Sequence, residues 1–309
     1  MPMLDHNKPC VLVLMASYNG LQYIDAQIKS ITEQLDCEIT LLISVDKSED
    51  NTFYHLQDFK KNDAFIELLA YGTKYGSAAA NFYRLIKEAK LEGYDYIAFA
   101  DQDDIWESDK LSRHIQLAKL NDAAGVSSNV VAFWSDGKKK FINKAQPQRG
   151  LDFLFESAGP GCTFLMTPWL LEKVRDQLLN EKSPAKEVAL HDWLVYAVCR
   201  AHGHKWIIDS IPSVKYRQHE NNVIGANTGW KAKWTRLQKL RQGWYRNEVI
   251  KIVQICNGIS PSIETEKLGY LLATKNIFSQ LKLLAYVKKA RRSLLERCLL
   301  ALLIAVGIF

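Results

Sequence analysis

Ala98-Phe-Ala-Asp-Gln-Asp-Asp-Ile-Trp106 is the stretch that decides how this chain is read. Tyr96-Ile97-Ala98-Phe99-Ala100 has the length and composition of a buried strand. It ends in three carboxylates within four residues, Asp101, Asp103 and Asp104. At that density carboxylates repel one another and lose hydration where the strand leaves the core, so they require a positive partner. The economical partner is a hard divalent cation, Mg²⁺ or Mn²⁺, which takes oxygen ligands and shares its shell with phosphates. The alternative is a solvated acidic turn that caps the helix beginning near Ser108.

Upstream, strands and helices alternate. Cys10 to Ala16 is a continuous apolar run suited to a strand buried on both faces. A turn, Ser17-Tyr18-Asn19-Gly20, opens a helix whose apolar positions are Leu21, Ile24, Ile28, Ile31 and Leu35. Glu38 to Val45 is a second buried strand, ending at Asp46. A helix over Thr52 to Phe59, a strand over Phe65 to Leu69, a Gly72–Gly76 loop and a helix over Ser77 to Lys90 follow. This alternation predicts an α/β fold with a mostly parallel central sheet flanked by helices. Ligands of such sheets gather at the carboxyl ends of the strands, where Ser17, Tyr18, Asn19, Asp46 and the Asp101–Asp104 cluster collect. No GxGxxG follows the first strand and no GxxxxGK[ST] occurs, which disfavours a dinucleotide-binding fold and a P-loop ATPase. A nucleotide diphosphate held without a glycine cradle needs another source of positive charge, and a metal on carboxylates supplies it.

Downstream the pattern is less regular. A strand is expected over Asn129 to Trp134, a Gly/Pro loop running into a strand over Ala158 to Met166, and a helix over Trp169 to Leu179. A further helix over Glu187 to Ala201 carries His191-Asp192-Trp193 near its start. A strand over Lys205 to Val214 leads into a polar loop, Tyr216 to Gly225.

With 309 residues, 48% hydrophobic and 24% charged, the chain is an ordinary globular one with room for a large α/β domain and an appendage. The six cysteines are scattered, with no CxxC pair, as buried free thiols in a reducing compartment are. The first ten residues carry no apolar signal region, so export is not expected. The net charge of +6 is modest but unevenly placed. The stretch from Trp230 to Lys251 is basic with interleaved Trp and Tyr, and Lys288, Lys289, Arg291 and Arg292 repeat the theme. Such a stretch suits an interfacial helix on an anionic membrane, or a polar helix packed by its tryptophans onto the catalytic domain. Cys298 to Phe309 is nearly devoid of polarity yet shorter than the roughly 20 residues of a spanning helix. It is read as a core helix, as a helix on or dipping into a membrane, or as the beginning of a longer span.

Four motifs in order, ASYNG after the first strand, SVDKSEDNT after the second, ADQDDIW after the fourth and HDW in the second half, resemble family-2 glycosyltransferases of the glycosyltransferase-A (GT-A) fold. The later YRQHENNVIGA is similar to the branch with bacterial rhamnosyltransferases of O-antigen, capsule and rhamnan assembly. The resemblance covers about residues 8–226. It implies a catalytic domain over 1–226, with a nucleotide-sugar half (1–104) and an acceptor half (105–226), followed by a helical C-terminal region over 227–309.

The activity implied is metal-dependent, inverting hexosyl transfer from a nucleotide-diphosphate sugar, best matched by L-rhamnose from dTDP-L-rhamnose. The implied acceptor is a lipid-linked glycan at the inner face of the cell membrane, with no nucleic-acid partner. Carried onto this sequence, Ser17, Tyr18, Asn19, Asp46, Asp101, Gln102 and Arg217 bind the nucleotide sugar. Asp103 and His219 hold Mg²⁺ or Mn²⁺, and Asp192 is the general base. Trp106, Gly161, His191 and Trp193 border the acceptor. Asp104 either supports the metal ligands or caps the next helix. Rival readings are transfer of another hexose from a UDP-sugar, a nucleotidyltransferase, which would want a basic glycine-rich loop where Ser17–Gly20 stands, and an inactive membrane-docked scaffold.

Overall fold

The computed structural model describes residues 8–219, 242–274 and 276–309. β1 (Cys10–Ser17) is the axis of the first half, with β2 (Glu38–Val45) and β4 (Tyr96–Asp101) parallel on either side and β3 (Ile66–Leu68) parallel beyond β2. The helices α1 (Ile24–Thr32), α2 (Thr52–Asn62) and α3 (Ala78–Glu88) make the crossovers. Ser77 caps α3 by accepting the Ala80 N–H at 3.2 Å. The register sets Ala16 beside Asp101 and Ser17 beside Val45, so the polar ends of three strands meet at one edge.

The second half departs from the expected mostly parallel arrangement. β6 (Ala123–Phe133) and β8 (Leu165–Met166) join antiparallel, β8 lies antiparallel to β4, and β9 (Lys205–Arg217) lies parallel to β6. β7 (Lys139–Ile142) folds back on β6, and β5 (Ile105–Trp106) closes the far edge antiparallel to β9. The sheet is therefore mixed, in the order β3-β2-β1-β4-β8-β6-β9-β5. Of the antiparallel pairs only β6–β7 is a hairpin with a short turn; the others join strands distant in the chain. In a flat sheet β5 would lie about four strand spacings, roughly 19 Å, from β4. The link Gln102-Asp103-Asp104 reaches about 14 Å at most. The sheet must curl, and its curl brings the end of β9 over the acidic turn.

Several expected boundaries shift. β6 starts at Ala123, six residues before the expected Asn129, because α4 (Lys110–Asn121) ends at left-handed Asp122 (φ 50°) and the strand follows at once. Ala123–Ser128 is buried along its whole length, so it shows no alternation to read. Helix α6 (His191–Ala201) begins four residues later than expected, since Pro184–Glu187 forms a separate 3₁₀ turn. β9 absorbs Tyr216 and Arg217 from the expected loop. The remainder of that loop, the 226/227 boundary and the basic stretch from Trp230 to Arg241 lie outside the described residues.

Helix α5 (Pro168–Leu179) and the C-terminal helices α7 (Trp244–Ile259), α8 (Ile263–Ala273), α9 (Ile277–Leu283), α10 (Val287–Ala290) and α11 (Leu294–Ala305) share one apolar cluster with α3 and α6. No described helix is long and apolar enough to cross a membrane. α11 instead inserts one face, Leu300 and Ile304, into the core. The inner end of the basic stretch also turns inward. Buried Arg246 donates to the carbonyls of Leu272 (3.0 Å) and Phe309 (2.7 Å) and to Gln280 Oε1 (2.7 Å).

The second basic group is partly internal too. Arg292, 3% exposed, meets Asp152 at 3.3 Å and Glu156 at 3.3 Å, while Arg200 reaches Asp152 at 3.3 Å and Arg291 reaches Glu156 at 3.6 Å. The cluster bolts the C-terminal helices to the segment that precedes the Gly159–Gly161 loop. Replacing Arg292 by Met takes one cation from each of two buried carboxylates and leaves them Arg200 and Arg291, and we expect urea denaturation to report a loss of about 2–4 kcal/mol.

Candidate active site

The acidic turn is gripped from both sides. Outside, the Arg217 N–H donates to Asp104 Oδ1 (2.9 Å), Arg217 Nε donates to the Asp103 carbonyl (2.7 Å), and His219 Nε2 lies 2.6 Å from Asp103 Oδ2. Tyr23 stacks on the His219 ring at 5.3 Å, and the Arg217 guanidinium lies over Tyr23 and Phe133 at 4.7 Å each. Asp104 is fully buried and caps nothing: α4 starts after Asp109 without a side-chain cap. Its carboxylate instead fastens β9 to the turn. Of the two roles considered for Asp104, the helix cap is thereby replaced by this inward contact.

Inside, the partner is a residue that sequence reading missed. Lys110 is fully buried, donates to the Cys162 carbonyl at 2.7 Å and lies 3.1 Å from the centre of the Trp106 ring. Its charge acts on both Asp101 and Asp104. The ligand-type atoms of Asp101, Asp104 and Cys162 all lie within 4.8 Å of one another, a spacing that would also suit a metal. Burial pulls Lys110 well below the usual lysine range, against the pull of Asp104 and Asp101, and burial beside the acids holds the Cys162 thiol well above its usual range, protonated and a poor ligand. Burial, with Asp103 and then Asp192 as negative neighbours, pushes the Asp101 carboxyl up to about 7, against the pull of Lys110. A signal was present: Lys110, Leu111, His114, Ile115 and Ala118 form the buried stripe of α4, so a lysine stands at a core position. Trp106, expected at the acceptor, is 3% exposed and serves as the floor under this ammonium.

Gln102 joins the acidic turn to the first loop. Its Oε1 accepts from Ser17 Oγ (2.7 Å) and the Tyr18 N–H (2.8 Å), and its Nε2 donates to the Tyr18 carbonyl (2.7 Å). Gly20 is required beside it, since a Cβ there would sit 2.2 Å from Gln102 Oε1. Asn19, at φ 49°, receives the Glu49 N–H at 2.8 Å and gives its own N–H to Ser48 Oγ at 3.0 Å. Buried Asp46 accepts the N–H groups of Tyr75 (2.7 Å) and Gly76 (2.8 Å), clasping the Gly72–Gly76 loop. Tyr18, 46% exposed, presents its ring at this rim.

On the opposite wall, Asp192 stands in the first turn of α6, where the helix dipole favours a negative charge. It accepts the Trp193 N–H at 2.7 Å. Burial pushes its carboxyl up to about 6, opposed by that N–H, by the charge of Lys144 and by a hydrogen bond from Ser157. Lys144 and Ser157 also escaped the sequence reading, because their loops carry no pattern. Asp101 and Asp192 lie close enough to interact electrostatically. His191 stacks on Phe82 at 3.9 Å, and a Cβ on Gly161 would meet its Nε2 at 2.5 Å, which makes Gly161 the point of closest approach between loop and helix. Burial pulls the His191 imidazole down to about 3, so it stays neutral. Trp193, expected near the acceptor, is 2% exposed, donates to the Phe153 carbonyl (2.8 Å) and stacks on Tyr245, and is therefore core. A separate basin of about 490 Å³ between α2 and β3, lined by Phe53, Lys60 and Tyr71 among others, includes none of these residues.

A mixed, curled sheet with carboxylates at the end of its fourth strand and a helix-borne acid opposite is a GT-A-type arrangement, and residues 12–169 match the model of the family described as "Glycosyl transferase family 2". The chain belongs to that family and is a glycosyltransferase. It is 41% identical, over 96% of its own length and the whole of the other protein, to the dTDP-rhamnosyl transferase RfbG of Shigella flexneri. It is 34% identical over 38% of its length, and 45% of the other's, to the UDP-Glc:alpha-D-GlcNAc-diphosphoundecaprenol beta-1,3-glucosyltransferase WfgD of Escherichia coli. Among solved structures, the mannosyltransferase PcManGT of Pyrobaculum calidifontis, in complex with GDP-Man and Mn²⁺, shares the fold at TM-score 0.54 and 16% identity over 98% of this chain and 82% of that one.

Changing Lys110 to Met keeps the volume but removes the internal cation and leaves the Cys162 carbonyl without its donor. Denaturant titration is expected to show a loss of about 2–4 kcal/mol, and calorimetry a weaker affinity for nucleotide diphosphates.

Proposed function

We propose that the chain transfers L-rhamnose from dTDP-L-rhamnose, with inversion, onto a growing surface glycan carried on a lipid at the inner face of the membrane. The observation that carries this reading is the electrostatic proximity of Asp192 to Asp101 of the acidic turn, in a chain 41% identical to a dTDP-rhamnosyl transferase over nearly its full length. The lipid-linked acceptor is supported by likeness to a transferase whose name specifies a diphosphoundecaprenol substrate.

Asp103 and His219, hydrogen-bonded to each other at 2.6 Å, offer one carboxylate oxygen and one imidazole nitrogen, a donor type that suits a hard or borderline divalent ion once the two part. Mg²⁺ or Mn²⁺ held by them would neutralise charge on the departing nucleotide diphosphate. Asp101 and the Ser17–Asn19 loop, fixed by Gln102, position the nucleoside and diphosphate, and Tyr18 offers a stacking surface for the base. Asp46 contacts the base once the Gly72–Gly76 loop yields it. Asp192 takes the proton of the acceptor hydroxyl as that oxygen bonds to the anomeric carbon. The bond from that carbon to the diphosphate oxygen breaks on the opposite face, and its electron pair leaves with the diphosphate. His191, neutral and wedged between Phe82 and Gly161, positions the base and takes no proton itself.

A panel of nucleotide sugars, including UDP-glucose, assayed for released nucleotide diphosphate tests the reading. Release is expected from dTDP-L-rhamnose, to cease with EDTA and to fall by at least about a hundredfold in Asp103→Ala. Full activity of that variant in EDTA would refute the metal assignment. Asp192→Asn is expected to bind donor as the parent does and to lose about 10²–10⁴-fold in transfer. The working base is ionised, so kcat/KM should climb about tenfold per pH unit below about 6 and level off above it.

A further inference from the structure

Two C-terminal helices leave an apolar surface that no described part of the chain covers. On α11, Leu294, Leu295, Leu299, Leu302 and Val306 are all more than half exposed, up to 79% for Leu295. At about 100° per residue they form one arc with exposed Cys298 and Ala305, roughly 140° wide and free of charge. The opposite side, Leu300 and Ile304, is in the core. Apart from Glu296 and Arg297, which lie outside this arc, α11 is apolar, and an apolar arc of that width belongs in an interior or against lipid. α9 packs against α11 and adds Ile277 (70% exposed), Phe278 (75%) and Leu281.

The charges bordering the surface are basic. Lys282 follows Leu281 on α9, Lys288 stands on α10 beside α11, and both are exposed. The acid of α11, Glu296, is turned to Arg291 at 3.8 Å. At twelve residues α11 is about 18 Å long, well under the roughly 30 Å of a bilayer core. It can lie along a membrane and cannot cross one. A second copy of the chain would set these basic rims against each other, whereas anionic headgroups complement them.

We propose that the α9–α11 face docks at the boundary between headgroups and acyl chains of an anionic bilayer. Phe278, Leu281, Leu295, Leu299 and Leu302 enter the apolar zone, and Lys282 and Lys288 meet lipid phosphates. This deepens the proposed function, which needs the site held near a lipid-linked acceptor, but the docking is measurable without any sugar transfer.

The test is flotation of the full chain with vesicles of phosphatidylethanolamine and phosphatidylglycerol, and with phosphatidylcholine vesicles for comparison. The chain is expected to float with the anionic vesicles, less with the neutral ones, and the Leu295→Glu/Leu299→Glu variant to bind the anionic vesicles at least about tenfold more weakly. Both replaced side chains are exposed, so the thermal midpoint and the release of nucleotide diphosphate should match the parent's. Flotation of the variant equal to the parent's, or a parent chain that stays with the soluble fraction, overturns the proposal. So does a parent dimer that the variant splits without any vesicle binding, which would assign the face to a second copy. Flotation as expected with no turnover of any donor would leave the docking standing and refute the transferase reading.

Discussion

Three residues separate β4 from β5, although three other strands lie between them in the sheet. The curl that this short link enforces is the constraint on which the rest of the site depends. It carries β9 around until its last residues lie over the acidic turn, so that Arg217 and His219, more than 110 positions away, contact Asp103 and Asp104. The same three residues are thus hinge, acid cluster and link to the first loop, the last through Gln102.

Carboxylates at such density are tolerable because they are divided between two environments. Asp101 and Asp104 look inward to Lys110 and the Cys162 thiol, whereas Asp103 looks outward to His219. The inward pair gives the turn a fixed shape before any ligand arrives, at the cost of burying charge that only a matched cation makes acceptable. The outward acid is left to exchange partners. Asp192, its pKa raised by burial as those of Asp101 and Asp104 are, stands apart from them in the first turn of α6, next to a neutral histidine.

The first half of the fold was legible because a parallel sheet writes itself into sequence as apolar runs separated by amphipathic helices, and β1, β2 and β4 match their runs to within a residue. The second half was harder to read. β8 has two residues, β5 has two, and β6 is buried where its small residues Ala123–Ser128 give no period, so neither their pairing nor the mixed character of the sheet is encoded locally. Asp103 and Asp192 were singled out through motif, and the fold sets Asp192 within electrostatic reach of Asp101, two residues from Asp103. Lys110 was missed because a lysine on a helix is ordinarily a solvated one, and its meaning lies in the apolar stripe it interrupts. Trp106 and Trp193 stand beside catalytic motifs and are held in the core, which for Trp193 is one of the two roles its position suggested.

The clasp between β9 and the acidic turn also bears on the order in which the molecule forms. Asp104 and Arg217 are 113 positions apart, and the β5–β9 pair is similarly distant. Closing so long a loop is entropically unfavourable and slow compared with the local β1–β2 pairing. Among the parallel pairs β1–β2, 28 positions apart, is markedly more local than this clasp; β1–β4 already spans 85 positions, and a nascent chain can form both while Asp104 still lacks its backbone donor. The donor side of the site reaches its final shape only when the thirteen-residue β9 arrives, and the helices that buttress Asp192 follow later still in the chain. The residues read first in the sequence belong to the part of the molecule that is finished last.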